Sequence, residues 1–107
     1  MLPGTLELLV LKLLSVEPLH GWGITQRLEQ MSRHVLQVNQ GSLYPALERL
    51  KRSGWIKSEW RVTENSRRAR YYYLTPAGKR QLAQERSRWE QMTAATNLIL
   101  DWTGGAA

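Results

Sequence analysis

Arginine dominates the side chains of this chain that have chemistry to offer. Arg67, Arg68 and Arg70 fall within four positions, beside the small polar residues Asn65 and Ser66. A guanidinium is a planar fork of donors that matches phosphate oxygens, so such a cluster suits a polyanion. Upstream stand Ser42, Tyr44, Pro45, Arg49 and Arg52. The Ser42 and Tyr44 hydroxyls suit phosphate oxygens, and the tyrosine ring also suits a thymine methyl. Arg49 and Arg52 can reach phosphate or guanine edges. Asn39 and Gln40, just before them, are further contact candidates. Catalysis and metal binding have no comparable set. The chain has no Cys, and His20 and His34 are its only histidines. No thiolate site, Ser-His-acid set, paired carboxylates or glycine-rich phosphate loop emerges, so neither an enzyme nor a cofactor or metal is expected.

The placement of charge supports this reading. The net charge is +6 over 107 residues. From Arg49 to Arg70 there are eight basic and two acidic residues, and the remaining seven basic and seven acidic residues cancel. The whole excess thus lies in one stretch, as a nucleic-acid-binding surface requires. The plainer alternative is a solvated basic face that keeps the protein soluble.

The elements that position these residues follow from periodicity. Leu43, Ala46, Leu47 and Leu50 recur at helical spacing and predict a short helix. Ser42 is expected as its N-cap, Pro45 as its third residue and Gly54 as its stop. After Gly54 the period changes to two. Ile56, Ser58, Trp60 and Val62 alternate with Trp55, Lys57, Glu59 and Arg61, which predicts a strand with Trp55 and Trp60 as strand and core residues. A polar turn over 63–69 leads to a second strand, Arg70 to Leu74. Arg70 has an alternative partner across this hairpin in Glu59. The result is a hairpin with a basic tip, a wing.

Two helices precede this unit. The first is expected from about Leu6 to Val16 after a loop, Pro3-Gly4-Thr5, that ends in an N-cap. It is apolar nearly all round and needs cover on more than one side, which a second subunit supplies most economically. After a break at Glu17-Pro18-Leu19, His20-Gly21-Trp22-Gly23 opens a second helix, with Ile24, Leu28 and Met31 on its buried face and glycines suited to close packing. Val35, Leu36 and Val38 are expected to anchor the connection onward. Three helices in succession outline a helix-turn-helix. Thr75-Pro76 caps and starts a last helix, running to about Asp101. On it Leu82, Trp89, Met92, Thr96 and Ile99 follow a coiled-coil-like spacing, which again calls for a second copy.

These residues resemble a known family. Gly41-Ser42-Leu43-Tyr44-Pro45-Ala46-Leu47, followed by Leu50 and Gly54, is similar to the recognition helix of PadR-type transcriptional regulators. Arg68, Tyr71-Tyr72 and Leu74-Thr75-Pro76-Ala77-Gly78 resemble that family's second wing strand and the start of its last helix. Gly4-Thr5-Leu6 and His20-Gly21-Trp22-Gly23-Ile24 resemble its first two helices. Trp22 and Tyr73 depart from the commoner pattern, and nothing from Thr93 onward matches it. The resemblance implies a homodimer, usually a repressor, that binds a pseudo-palindromic operator, with the last helix packed on the partner. The single C-terminal helix is similar to the short subgroup.

The reading is therefore an α+β fold, mostly α: a winged helix-turn-helix over 1–75 and a C-terminal dimerisation helix and tail over 76–107. Double-stranded DNA and a second copy are the expected partners. Ser42, Tyr44, Pro45, Arg49, Arg52, Arg67, Arg68 and Arg70 are the DNA-binding candidates. Leu6, Leu9, Leu13, Leu82, Trp89, Met92, Thr96 and Ile99 are the dimerisation candidates. In a two-fold dimer the recognition helices would lie roughly 34 Å apart, one turn of B-DNA. Trp89 and Trp102 are candidate ligand-lining residues for a small hydrophobic effector, with plain interface packing as the alternative. Rival readings are a dimeric protein-interaction module that does not touch DNA, and a small-molecule sensor built on an aromatic interface cavity. The longest apolar run, Leu8 to Leu11, is too short to span a bilayer, and no basic-then-apolar leader opens the chain, so no membrane partner and a cytoplasmic location are expected.

Overall fold

In the computed structural model, which describes residues 4–106, four helices pack with a small antiparallel sheet. The chain runs α1 (Thr5–Val16), β1 (Leu19–His20), α2 (Gly21–Met31), α3 (Gln40–Arg52), β2 (Ile56–Val62), β3 (Arg68–Leu74) and α4 (Pro76–Leu100). The sheet order is β1-β3-β2. Leu19 and His20 pair with Tyr72 and Tyr71, and β2 pairs with β3 from Ile56↔Leu74 to Val62↔Arg68. This is a winged helix-turn-helix with a long C-terminal helix, mixed but mostly helical. Pro3 lies outside the described residues.

The core is the meeting of three apolar stripes. Val10, Leu11 and Leu14 of α1, Ile24 and Leu28 of α2, and Leu43, Leu47 and Leu50 of α3 are all buried, with Ile56 and Tyr72 closing the sheet side. The 3.6-residue spacing on α3 reflects burial of one face only. Met31 and Val35 do not join this core. Met31 is exposed at the last residue of α2, and Val35 is exposed just after the chain leaves that helix through Arg33 and His34 at positive φ; Leu36 and Val38 remain half-buried.

The helix ends show which hydrogen-bonding groups compete. Gly4, not Thr5, is the N-cap of α1, at φ 85° and without a side-chain bond. The cap of α3 is Asn39 rather than Ser42: the Asn39 Oδ1 accepts the Ser42 N–H at 2.8 Å. The helix therefore starts earlier, and Pro45 is well inside the first turns rather than third. The carbonyl that loses its donor to Pro45 is that of Gly41, which is exposed and open to water. Replacing Asn39 by alanine should cost about 1 kcal/mol of stability and Ser42 by alanine far less, as urea denaturation would read. At the other end Gly54 is left-handed (φ 77°). Its N–H bonds the Lys51 carbonyl, and the Trp55 N–H bonds the Leu50 carbonyl, so two otherwise free carbonyls are satisfied. His20 opens α2 by accepting the Gly23 N–H on Nδ1 at 3.0 Å, and Thr75 opens α4 by accepting that of Gly78.

The molecule is elongated, 63 × 29 × 22 Å, because α4 outruns the domain that it packs on. Leu82 reaches the core, as do Leu6, Leu9 and Leu13 in part. Beyond it, Trp89, Met92, Ile99 and Trp102 are exposed in the single chain.

Candidate nucleic-acid interface

Helix α3 presents its exposed side next to the hairpin of β2 and β3. Between them lies an open groove of about 1060 Å³. Tyr44 and Glu48 of α3, Trp22 at the start of α2, and Trp60, Arg67, Arg68 and Arg70 of the hairpin all line it. The folding thus brings Tyr44 together with the three wing arginines, although they are distant in sequence.

Tyr44 is held from below. A Cβ on Gly21 would lie 2.9 Å from the Tyr44 hydroxyl and 3.2 Å from Gln40 Oε1, so the bare glycine lets α2 and α3 approach each other. Gln40 turns inward too, its Nε2 donating to Thr25 Oγ1 at 3.2 Å. Asn39 is used as the cap. Beneath the groove Tyr72 is buried, and burial pushes the pKa of its hydroxyl up, with Tyr44 and Glu48 adding to the rise and Arg70 opposing it. The stability tied to this group is whole below the unfolded tyrosine pKa and is lost as pH rises through the folded value.

The arginines divide by partner. Arg49 is paired with Glu7 of α1, forty-two residues away in sequence. It lies about 140° around the helix from Tyr44, at the opposite margin of the exposed face. Ser42, Pro45 and Arg52 occupy the exposed face without a side-chain bond to another element among the described residues. Arg61 is paired with Glu59, at 2.7 Å from Nε to Oε1, and lies over Tyr71 on the hairpin's other face. Arg70 does not pair with Glu59. The register sets it opposite Trp60 instead, and its Nη1 donates to Ser58 Oγ at 3.1 Å. β3 begins at Arg68, two residues earlier than the aromatic run suggests, because Thr63 closes the turn by bonding Arg67 and Ser66, with Ser66 at φ 59°. Trp60 is not a core residue. Its face of the strand is buried only at Ile56, and the hairpin runs out past the helices.

The model of the transcriptional regulator PadR-like family matches residues 10–84. This chain belongs to the PadR family. A transcriptional regulator of Mycobacterium tuberculosis, Rv3488, is 41% identical over 73 residues, which are 68% of this chain and 64% of that one, so the match spans less than two thirds of the relative's length. A transcriptional regulator from Clostridium thermocellum has a similar structure, with a TM-score of 0.84, 26% identity and 92% of each chain covered. Bacillus subtilis PadR, solved in complex with operator DNA, has a TM-score of 0.65 at 25% identity over 74% of this chain and 46% of that one.

The PadR family comprises transcriptional regulators, not enzymes. The chain carries the fold of a PadR-family DNA-binding regulator, of the short kind with one C-terminal helix. Among the described residues no group of three or more His, Cys, Asp or Glu could hold a metal ion. No described helix is long and apolar enough to cross a membrane. Sequence reasoning missed β1, whose two residues are too few to show a period. It also missed the Glu7–Arg49 pair, for which no local signal exists.

Proposed function

We propose that this PadR-family chain is a cytoplasmic transcriptional repressor that binds a pseudo-palindromic operator as a homodimer. One observation carries the reading: Tyr44 and three wing arginines, which have no carboxylate partner among the described residues, line one groove beside the exposed face of α3. In this reading Ser42, Tyr44, Pro45 and Arg52 meet the major groove and its phosphates, while Arg67, Arg68 and Arg70 grip the flanking backbone. Arg49 would join them only by leaving Glu7. The B. subtilis protein, seen with operator DNA, supports the assignment by similarity.

The second copy would cover the apolar strip of Trp89, Met92, Thr96 and Ile99, together with Leu82 and the half-buried Leu6, Leu9 and Leu13. Residues 1–75 would then be the DNA-binding part and 76–107 the dimerisation part. Trp89 and Trp102 would lie at that interface, where a small hydrophobic effector can act. Replacing Arg67 and Arg68 together by alanine should weaken binding to every DNA sequence alike and flatten the salt dependence by about one unit per lost phosphate contact. Gel shifts with genomic fragments at two salt concentrations read both. Unchanged affinity and slope would remove the wing from the interface.

A further inference from the structure

Seven arginines of this protein are ordered by a partner side chain, in two different ways. Arg27, Arg49, Arg61, Arg86 and Arg88 each hold a carboxylate. Arg68 and Arg70 hold none among the described residues. Both lie over the ring of Trp60 instead, with Cζ 5.2 Å and 4.9 Å from its centroid. The register produces this arrangement: Trp60 is the Cα partner of Arg70, and Arg68, two residues earlier, lies on the same face of β3. Trp60 itself is 55% exposed, so it is not there to fill the core.

The two kinds of partner have opposite consequences. A carboxylate orders a guanidinium but cancels its charge and occupies its donors. An aromatic face orders it through the ring's negative quadrupole and leaves the charge and the edge N–H groups free. An unsupported arginine at the tip of a hairpin would lose more rotamer freedom on binding, whereas one already held loses less.

We propose that Trp60 is a positioning residue of the wing, a platform that holds Arg68 and Arg70 ready for phosphate without neutralising them. The inference rests on the DNA-binding reading above. It assigns Trp60 no contact with DNA of its own. It also separates the two faces of the hairpin: the Arg68–Trp60–Arg70 face toward the groove is the one poised for a polyanion. The Arg61–Glu59 face is already satisfied.

The test is a double-mutant cycle on the full chain, read by fluorescence anisotropy with a labelled genomic duplex at low salt. Trp60→Ala should weaken binding about tenfold, and Trp60→Tyr should recover most of the loss because it keeps a ring under the arginines. In an Arg68→Ala/Arg70→Ala background, Trp60→Ala should have no further effect. Thermal melts should be alike for the wild type and Trp60→Ala, given the exposure of the ring. Unchanged affinity of Trp60→Ala beside a wild type that binds would overturn the inference while sparing the DNA-binding reading. So would a full tenfold loss in the arginine-free background, since Trp60 would then touch the DNA itself. A wild type that binds no duplex would bring down the DNA-binding reading and this inference together.

Discussion

Gly78→Ala is expected to destabilise the domain by about 3 kcal/mol or more, against the usual sense of this substitution in a helix. An exposed helical glycine gains about 1 kcal/mol on becoming alanine, because the glycine backbone is the more costly to order. Gly78, in the first turn of α4, is buried. A Cβ there would sit 2.0 Å from the Trp55 carbonyl oxygen, 2.9 Å from its carbon and 2.8 Å from Leu74 Cδ1. Two of these are backbone atoms, and that backbone is tied down. The Trp55 carbonyl accepts the Thr75 N–H at 3.0 Å, and the Thr75 hydroxyl donates to the Gly54 carbonyl at 2.7 Å. Relief would require α4 to separate from the α3–β2 junction. Urea or thermal denaturation at fixed protein concentration reads the effect. A variant with a raised Tm would show that α4 does not press on this junction.

Binding to duplex DNA is expected to fall a thousand-fold or more between about 50 mM and about 200 mM salt. Arg52, Arg67, Arg68 and Arg70 lack carboxylate partners among the described residues, so roughly four phosphate contacts per copy, or about eight in a two-fold pair, are available for counterion release. Arg49 and Arg61 are not counted, since Glu7 and Glu59 already neutralise them. Alanine at either should leave the slope nearly unchanged. Anisotropy titrations across the salt series give the slope directly. A slope near one or two would mean that the basic stretch does not meet phosphate, and would favour a protein partner instead.

Much of the architecture is legible in the order of residues because burial leaves a periodic trace. Leu43, Leu47 and Leu50 recur at the helical period, since one face of α3 is buried and the other is not. The change to a period of two after Gly54 announces the hairpin for the same reason. Gly54 and Thr75-Pro76 are legible as stops and starts because left-handed backbone and a missing N–H are properties of single residues. Capping was harder to read. Asn39 and Ser42 are both good caps and stand three residues apart. The backbone allows only one of them the position where its oxygen meets a free N–H, and the apolar stripe does not say which.

Exposure of large side chains is not a local property either. Met31, Val35 and Trp60 all carry the apolar character of core residues, yet each lies where the chain turns or extends away from the helices. The partner of a charge is equally non-local. Nothing near Arg49 or near Glu7 announces that they meet, and nothing near Trp60 announces two guanidiniums over its ring.

The chain's own order of residues thus determined the four helices and the β2–β3 hairpin, their succession, the winged helix-turn-helix class and the basic stretch with its family. These depend on period, turn chemistry and local charge, which act between neighbours in sequence. Tertiary structure alone decided which arginines keep their charge for a ligand and which spend it on a carboxylate. It also decided that Tyr44 shares a groove with the wing, and that Gly78 must remain without a side chain. Each of these depends on distances across the fold, where α1 meets α3, β2 registers with β3, and α4 rests on the carbonyl of Trp55.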